Sequence, residues 1–342
     1  MDRIEKLFSY TDENSLVYIT SPENIRYFSG VDIEGCLVIS QDEKLIVTDG
    51  RYTEIAKNNP FGYNVTESIN HIEVLKRYDK TVYFEPQIEY STYQKLKAEN
   101  INLQPLSVNI DMLRGVKDKE EIEHLAQAAR IAQKALEETL NLIKAGVTEN
   151  FVKATLEYNL ALLGSEKTSF DTICISGVKT SMPHGTPSDK VIEKGDFITI
   201  DFGAVVNGYC SDMTRTFALG YATDEMKEIY ETVLKAQIAA TEFIKTGVKC
   251  ADCDKVARDI ITDAGYGKYF CHSLGHGVGL KIHEMPNLSP KSELVLQEGN
   301  VVTVEPGIYI EGKCGVRIEN TVVVTSDGCI ELQNFGKNLI IL

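Results

Sequence analysis

The sequence predicts a mixed α/β (α+β) chain in two parts: a small amino-terminal α/β domain over residues 1–114, and a larger domain over 115–342 with internal two-fold pseudo-symmetry. Three observations predict it. Short apolar runs of strand length alternate with polar helical stretches up to about residue 112. Near 111–117 the character changes and a long amphipathic pattern begins. Beyond it, glycine-punctuated segments occur twice in the same order.

In the first domain, residues 15–20, 35–40, 44–48 and 81–84 read as strands, with helical stretches such as 91–100 between them. Nothing here has catalytic spacing. His71 reads as a surface residue, and the stretch from Pro22 to Gly30 is explained by packing and a helix terminus as well as by function. The second domain opens with a helix predicted over 119–144, since Ile122, Leu125, Ala129, Ala132, Leu136, Leu140 and Ile143 share one stripe and Gly146 follows. Thr148 is placed to cap a second helix carrying Val152, Leu156, Leu160 and Leu163. Residues 169–176 read as a strand that leads into Met182, Pro183, His184 and Gly185, a loop or strand end where function tends to concentrate. The long helix recurs over 223–245 and the shorter one over 251–265.

Between these helices lies the stretch around which the chain is organised. Residues 197–202 form an apolar run between Gly195 and Gly203, with Asp201 inside it, where an unpaired charge is expensive. Asp212 follows the Asn207-Gly208 turn signal, so the two segments read as a hairpin that brings the carboxylates together. As ordinary turn acids, or as partners of Arg215, they need no further explanation. The repeat argues for more. Lys144, Gly146 and Val147 recur as Lys245, Gly247 and Val248, and Gly164 as Gly265, all 101 residues later. Gly195, Asp201 and Gly203 recur as Gly299, Glu305 and Gly307, 104 residues later. The second hairpin holds Glu305 within 301–306 and Glu319 within 316–324, so each half supplies two acids.

The histidines fall beside them. Of six in the chain, His184, His272, His276 and His283 lie in segments leading into the hairpins. Four ionised carboxylates ~5 Å apart repel by roughly 3 kcal/mol per pair at an effective dielectric of about 20. Two divalent cations balance four carboxylates where one leaves the site negative, which points to a dinuclear site. The Gly-His-Gly-Val-Gly run at 275–279 lacks the spacing of a dinucleotide loop, and its glycines permit close backbone approach around His276.

Composition narrows the rest. A net charge of -15 and a pI near 5.0 leave no basic face for nucleic acid or anionic membrane. No apolar run reaches spanning length, and the first residues are acidic without an apolar core, so a cytoplasmic location is expected. The eight cysteines then read as reduced thiols, and the Cys250/Cys253 pair as incidental residues near a helix start.

The order Asp201, Asp212, His276, Glu305, Glu319, in the settings Asp-Phe-Gly-Ala, Ser-Asp-Met-Thr-Arg-Thr, Gly-His-Gly-Val-Gly, Val-Glu-Pro-Gly and Arg-Ile-Glu-Asn, resembles the pita-bread metallopeptidases. Within that family the chain is most similar to the Xaa-Pro peptidases, aminopeptidase P and prolidase. The resemblance spans essentially the whole chain and matches at every metal position. It implies a pita-bread catalytic domain behind a creatinase-like amino-terminal domain. It implies two metal ions, bridged by Asp201 and Glu319, with Asp212 completing one shell and His276 and Glu305 the other. Glu305 is then the general base toward a metal-bridging hydroxide that attacks the carbonyl carbon.

His184, His272 and His283 match positions that bind substrate, stabilise the tetrahedral intermediate or assist proton transfer. Arg317 shares the face of Glu319 if both lie on one strand, orienting it or reaching substrate, with a plain salt bridge as the alternative. A mostly oxygen shell with one imidazole favours Mn2+, with Co2+, Zn2+ and Fe2+ as alternatives. The implied substrate is a small peptide with proline at the second position, and the implied assembly is a homodimer. Dipeptidase and aminopeptidase activities stay open. Methionine aminopeptidase-like, creatinase-like and non-catalytic binding roles rank behind, because the ligands are intact and His272 and the amino-terminal domain are present.

Overall fold

The computed structural model describes residues 3–342 of the chain. Contacts divide it into two compact units with the boundary between Arg114 and Gly115. Among the described residues, no helix is long and apolar enough to cross a membrane.

The first unit runs α1 (Arg3–Phe8), β1 (Ser15–Ile19), α2 (Pro22–Ser29), β2 (Gly35–Ile39), β3 (Lys44–Thr48), α3 (Thr53–Lys57), β4 (Asn64–Glu67), α4 (His71–Leu75), β5 (Thr81–Phe84), α5 (Tyr90–Ala98), β6 (Leu103–Pro105) and α6 (Ile110–Gly115). Its strands make one sheet in the order β4-β3-β2-β1-β5-β6. Tyr18, Val38, Val47, Val82 and Phe84, residue types that suit a pleated surface, build its core. α2 starts at Pro22 and stops at Gly30, whose φ of 75° is a turn that glycine makes without strain, so this stretch is a capped packing helix. His71, expected on the surface, is partly buried at the start of α4 and shares a 3.3 Å hydrogen bond with the Tyr18 hydroxyl.

The second unit consists of two similar halves. The first runs α7 (Lys119–Leu140), α8 (Glu149–Leu162), β7 (Ile173–Ser176), β8 (Phe197–Phe202), β9 (Val205–Val206), β10 (Tyr209–Cys210) and β11 (Met213–Ala218). The second runs α9 (Asp224–Phe243), α10 (Cys250–Asp263), β12 (Gly275–Gly277), β13 (Glu284–Leu288), β14 (Val301–Val304), β15 (Gly307–Ile310), β16 (Cys314–Arg317), β17 (Asn320–Val324) and β18 (Cys329–Glu331). α7 starts in a capping box between Asp118 and Glu121, and ends at Leu140, short of the predicted 144, before the chain turns through Gly146 at φ 97°. Thr148 caps α8 as expected, accepting from the Phe151 N–H at 3.1 Å. Cys250 and Cys253 begin α10 and pack into the core.

Each half seals one face of its sheet with its two helices. Leu136, Val152, Leu156 and Leu160 pack with Ile198, Ile200 and Phe202, while Ile229, Val233, Ala257 and Ile261 pack with Val302 and Val304. Each of these side chains other than Ala257 contributes about 1.5–3 kcal/mol on burial. Strand alternation then sends Thr199 and Asp201, and correspondingly Thr303, to the opposite face. β8 pairs antiparallel with β11, with Asp201 opposite Thr214, and β14 pairs with β17, with Val304 opposite Asn320. Three of the acids sit just outside the strands: Asp212 before β11, Glu305 after β14, and Glu319 between β16 and β17. At these points the chain leaves the main ladder for the small hairpins β9–β10 and β15–β16, and the acids gather where it diverts.

Candidate metal centre

All nine residues singled out from the sequence (His184, Asp201, Asp212, His272, His276, His283, Glu305, Arg317 and Glu319) line one cavity of about 1060 Å³ in the second unit. Asp201, Asp212 and Glu319 each present an oxygen to a common point, the three atoms lying within 4.8 Å of one another. His276 Nε2 continues the cluster, 3.6 Å from Asp212 Oδ2 and 3.3 Å from Glu305 Oε1.

The two halves are stitched together at these acids. The Glu319 N–H donates to the Thr214 carbonyl at 3.1 Å, and Thr321 Oγ1 and Gln333 Nε2 donate to the Asp212 carbonyl at 3.0 and 2.8 Å. Arg215 is fully buried and donates to the carbonyls of Thr214, Glu319 and Phe335 and to Asn320 Oδ1. It therefore fixes the backbone that carries Glu319 and is not the partner of Asp201 or Asp212. The cation that meets Asp201 is Arg317, whose Nη2 lies 2.6 Å from Oδ2.

Each half therefore leaves one oxygen held and one open. Asp201 Oδ2 is taken by Arg317, and Glu319 Oε2 accepts from Thr214 Oγ1 at 2.6 Å. Asp201 Oδ1 and Glu319 Oε1 are buried without a hydrogen-bond partner among the described residues. Leaving such a group unpaired costs about 1–3 kcal/mol, more when it is charged. Burial, and then the charges of Glu319 and Asp201, push the Asp212 carboxyl well above its ordinary range. Burial does the same to Glu319, with Glu305 and Asp201 adding to it, and pushes Glu305 up to about 7.

His276 Nδ1 lies 3.1 Å from the Gly277 carbonyl, which can only accept, so the neutral ring carries its proton there and aims its Nε2 lone pair at the two carboxylates. Burial lowers its pKa and keeps it neutral. A lone pair facing carboxylate oxygens is repulsive unless a cation or a carboxyl proton lies between. Four carboxylates and one imidazole nitrogen are a donor set for divalent cations, and the residues present fit them. The charge count made from the sequence changes in one respect: Arg317 offsets one of the four acids.

The neighbours of this cluster are equally ordered. His272 Nδ1 donates to the Ser273 carbonyl at 2.8 Å, so Nε2 accepts from the Tyr309 hydroxyl at 2.9 Å, and Tyr309 accepts from Arg317 Nη1 at 2.8 Å. Burial lowers His272 to about 4, so the neutral form that this chain of bonds needs is the one present. The His283 ring meets His276 edge to face, with centroids 4.3 Å apart. The loop carrying His184 is tied down at both ends by Glu149, which accepts from the Ser176 and Ser188 N–H groups at 2.7 and 3.0 Å. Gly275 and Gly277 do allow close approach: a Cβ would stand 2.0 Å from the Thr303 carbonyl oxygen and 2.4 Å from that of Met285.

Sequence reading missed three residues that touch the site. Thr303 donates to Glu305 Oε1 at 3.1 Å, alongside the contributions of Thr214 and Tyr309 already described. The two threonines carried a signal, each lying two residues from an acid and so on its face. Tyr309 carried none.

Comparison with known proteins gives the family of the chain. Residues 123–326 match Metallopeptidase family M24, and residues 3–116 match the Creatinase/Prolidase N-terminal domain. An Xaa-Pro dipeptidase of Pyrococcus furiosus is 41% identical over 347 residues, covering 99% of each chain. The solved structure of an Xaa-Pro dipeptidase from Bacillus anthracis superposes with a TM-score of 0.95 at 41% identity, covering 99% of each chain. That of an X-Pro aminopeptidase from Thermotoga maritima superposes at 0.93 and 38%, covering 100% of each. The matched segment takes in every acid and histidine of the cluster, and the chain, a creatinase-like unit followed by a pita-bread catalytic unit, belongs to metallopeptidase family M24.

Proposed function

We propose that this chain is an Xaa-Pro peptidase that works with two divalent cations, held by Asp201, Asp212, His276, Glu305 and Glu319. The observation that carries the reading is the pair of partnerless buried oxygens, one on Asp201 from the first half and one on Glu319 from the second, within a set of further acids and one imidazole. The oxygen-rich set favours Mn2+, with Co2+, Zn2+ and Fe2+ as alternatives. When bound, such cations polarise a scissile carbonyl and bring the pKa of a water toward neutrality.

The side chains of the protein supply the remaining steps. Glu305, held at one oxygen by Thr303, takes the proton of the attacking water and returns it to the prolyl nitrogen. That return matters because a prolyl amide nitrogen has no hydrogen of its own and leaves poorly unless protonated. His184 and His283, on the wall of the same cavity, donate to the oxyanion of the tetrahedral intermediate. Both nitrogens of His272 are engaged within the protein, so it offers substrate its ring and holds Tyr309 and, through it, Arg317 in place.

Xaa-Pro dipeptides are the first choice of substrate, since the Pyrococcus and Bacillus relatives are named for them. Longer Xaa-Pro-Yaa peptides come second, on the strength of the Thermotoga relative. A homodimer belongs to the reading through the family resemblance, and sedimentation checks it. The decisive experiment is cleavage of Ala-Pro and Ala-Pro-Ala with added Mn2+, alongside metal content by mass spectrometry. Activity is expected to vanish on thorough chelation, to return with Mn2+ at two ions per chain, and to fall roughly a thousandfold in Glu305→Gln. Activity that survives both chelation and that substitution rules the mechanism out.

A further inference from the structure

We propose that Asp254 and Arg258, on the inner side of α10, are positioning residues for His272; the catalytic consequence rests on the peptidase reading above. The segment from Phe270 to Leu274 leaves α10 and its following turn without joining any strand until Gly275. Its backbone polar groups therefore lack a ladder to satisfy them. Its outer side faces a cavity of about 380 Å³ lined by Arg258, Phe270, Cys271, His272, Ser273 and Pro290, so packing from that side does not hold it.

One ion pair, its carboxylate buried and its guanidinium partly exposed, does the holding. Arg258 meets Asp254 in a two-pronged contact, Nε to Oδ2 at 2.7 Å and Nη2 to Oδ1 at 2.9 Å. The same guanidinium donates to the Phe270 carbonyl at 2.9 Å and to the His272 carbonyl at 2.8 Å. Asp254 Oδ1 accepts from the Leu274 N–H at 2.9 Å. The guanidinium carbon lies 4.2 Å from the centroid of the Phe270 ring, which in turn meets the His272 ring at 5.1 Å and 89°. The backbone is thus gripped at residues 270, 272 and 274, and the ring is braced from one side. Beyond the grip, the Leu274 carbonyl accepts from the Glu305 N–H at 2.9 Å, so the segment is registered against the acid cluster as well.

The geometry makes Arg specific. A planar fork can address two carbonyls and a carboxylate together, whereas a lysine ammonium neutralises Asp254 but cannot span them. Without the grip, His272 Nε2 drifts from Tyr309, and misplacement by about 1 Å is enough to lose up to about a hundredfold in rate.

The test uses the full-length manganese-loaded protein and Ala-Pro hydrolysis, with Arg258→Lys in the wild-type and His272→Ala backgrounds. The apolar pair Asp254→Leu/Arg258→Met, which removes both charges together, replaces Arg258→Lys should that variant not fold. Expected is an Arg258→Lys protein of unchanged metal content whose kcat/KM falls at least about tenfold. In the His272→Ala background the same change is expected to cost less than about twofold. Proton NMR of the histidine Cε1–H, recorded on protein loaded with diamagnetic Zn2+ in place of Mn2+ and assigned by its loss in His272→Ala, gives a reading that does not depend on turnover and should show the His272 signal displaced in Arg258→Lys. Equal losses in both backgrounds, full activity of His272→Ala, or an unmoved His272 resonance would each overturn the proposal. An inactive wild type with a displaced resonance defeats the peptidase reading while leaving the positioning role standing.

Discussion

Removing the metal should make the stability of the catalytic unit fall as pH rises. In the metal-free protein the ligand oxygens of Asp201, Asp212 and Glu319 stay within 4.8 Å of one another, and each fully ionised pair repels by roughly 3 kcal/mol at an effective dielectric of about 20. Burial and that repulsion raise Asp212 and Glu319 well above their ordinary values and carry Glu305 from 4.5 to about 7. A carboxyl whose folded value is raised binds more protons folded than unfolded in the interval between the two values. Its stabilising contribution is complete below the unfolded value and is lost as pH climbs through the folded one. For Glu305 alone the interval from 4.5 to about 7 corresponds to roughly 3 kcal/mol, or about 6–12 °C in melting temperature for a unit of this size. Bound cations act in the opposite sense, because they require the ionised acids and bind more tightly as pH rises.

Calorimetric melts of chelated and Mn2+-loaded protein at pH 5.5 and 8.0 check this. The gap between the two forms should widen at the higher pH, and the chelated form of Glu305→Gln should lose much less on going from pH 5.5 to 8.0 than the chelated wild type. Coincident melts at pH 8.0, or a chelated protein that gains stability with pH, would refute the electrostatic reasoning.

Two further changes probe the scaffold. Tyr309→Phe removes the hydroxyl joining Arg317 to His272 and should lower kcat/KM about tenfold, with about 1 kcal/mol lost in a denaturant titration. Unaltered kinetics would show that the bond chain is idle. Gly275→Ala would drive a Cβ to 2.0 Å from a backbone oxygen of β14, so we expect a loss of about 3 kcal/mol or more, read as a lower melting temperature, or insoluble protein. Gly336→Ala, which meets nothing within 4 Å, should melt like the wild type and serves as the control.

Much of the site was legible because its parts are locally punctuated. Glycines at 195, 203, 299 and 307 bracket the two acids Asp201 and Glu305, and the repeat made the second hairpin visible from the first. The capping threonines and helix stripes were equally local. Boundaries slipped where the chain leaves a ladder: Glu305 and Glu319 read as strand residues because their neighbours are β-branched, yet both lie at the exits into a small hairpin. His71 looked exposed because nothing around it in the sequence signals that Tyr18, on β1, would reach its ring at the start of α4.

The charge partners were the least legible. Arg215 and Arg317 both sit near the acids in polar, strand-like settings, and no local feature tells which faces Asp201. The answer lies in how β11 meets the turn between β16 and β17, residues separated by about a hundred positions, which presents Arg317 to Asp201 and commits Arg215 to backbone carbonyls. Tyr309 is a milder case, since its partner His272 lies 37 residues away, whereas Asp254 and Arg258 stand four apart on α10 and pair locally. Period, punctuation and residue chemistry act over a few neighbours and are written in the chain, so the two halves and their acids could be read directly. Which side chains meet across those halves depends on the closure of one fold upon itself, a long-range packing outcome that no short stretch of residues encodes.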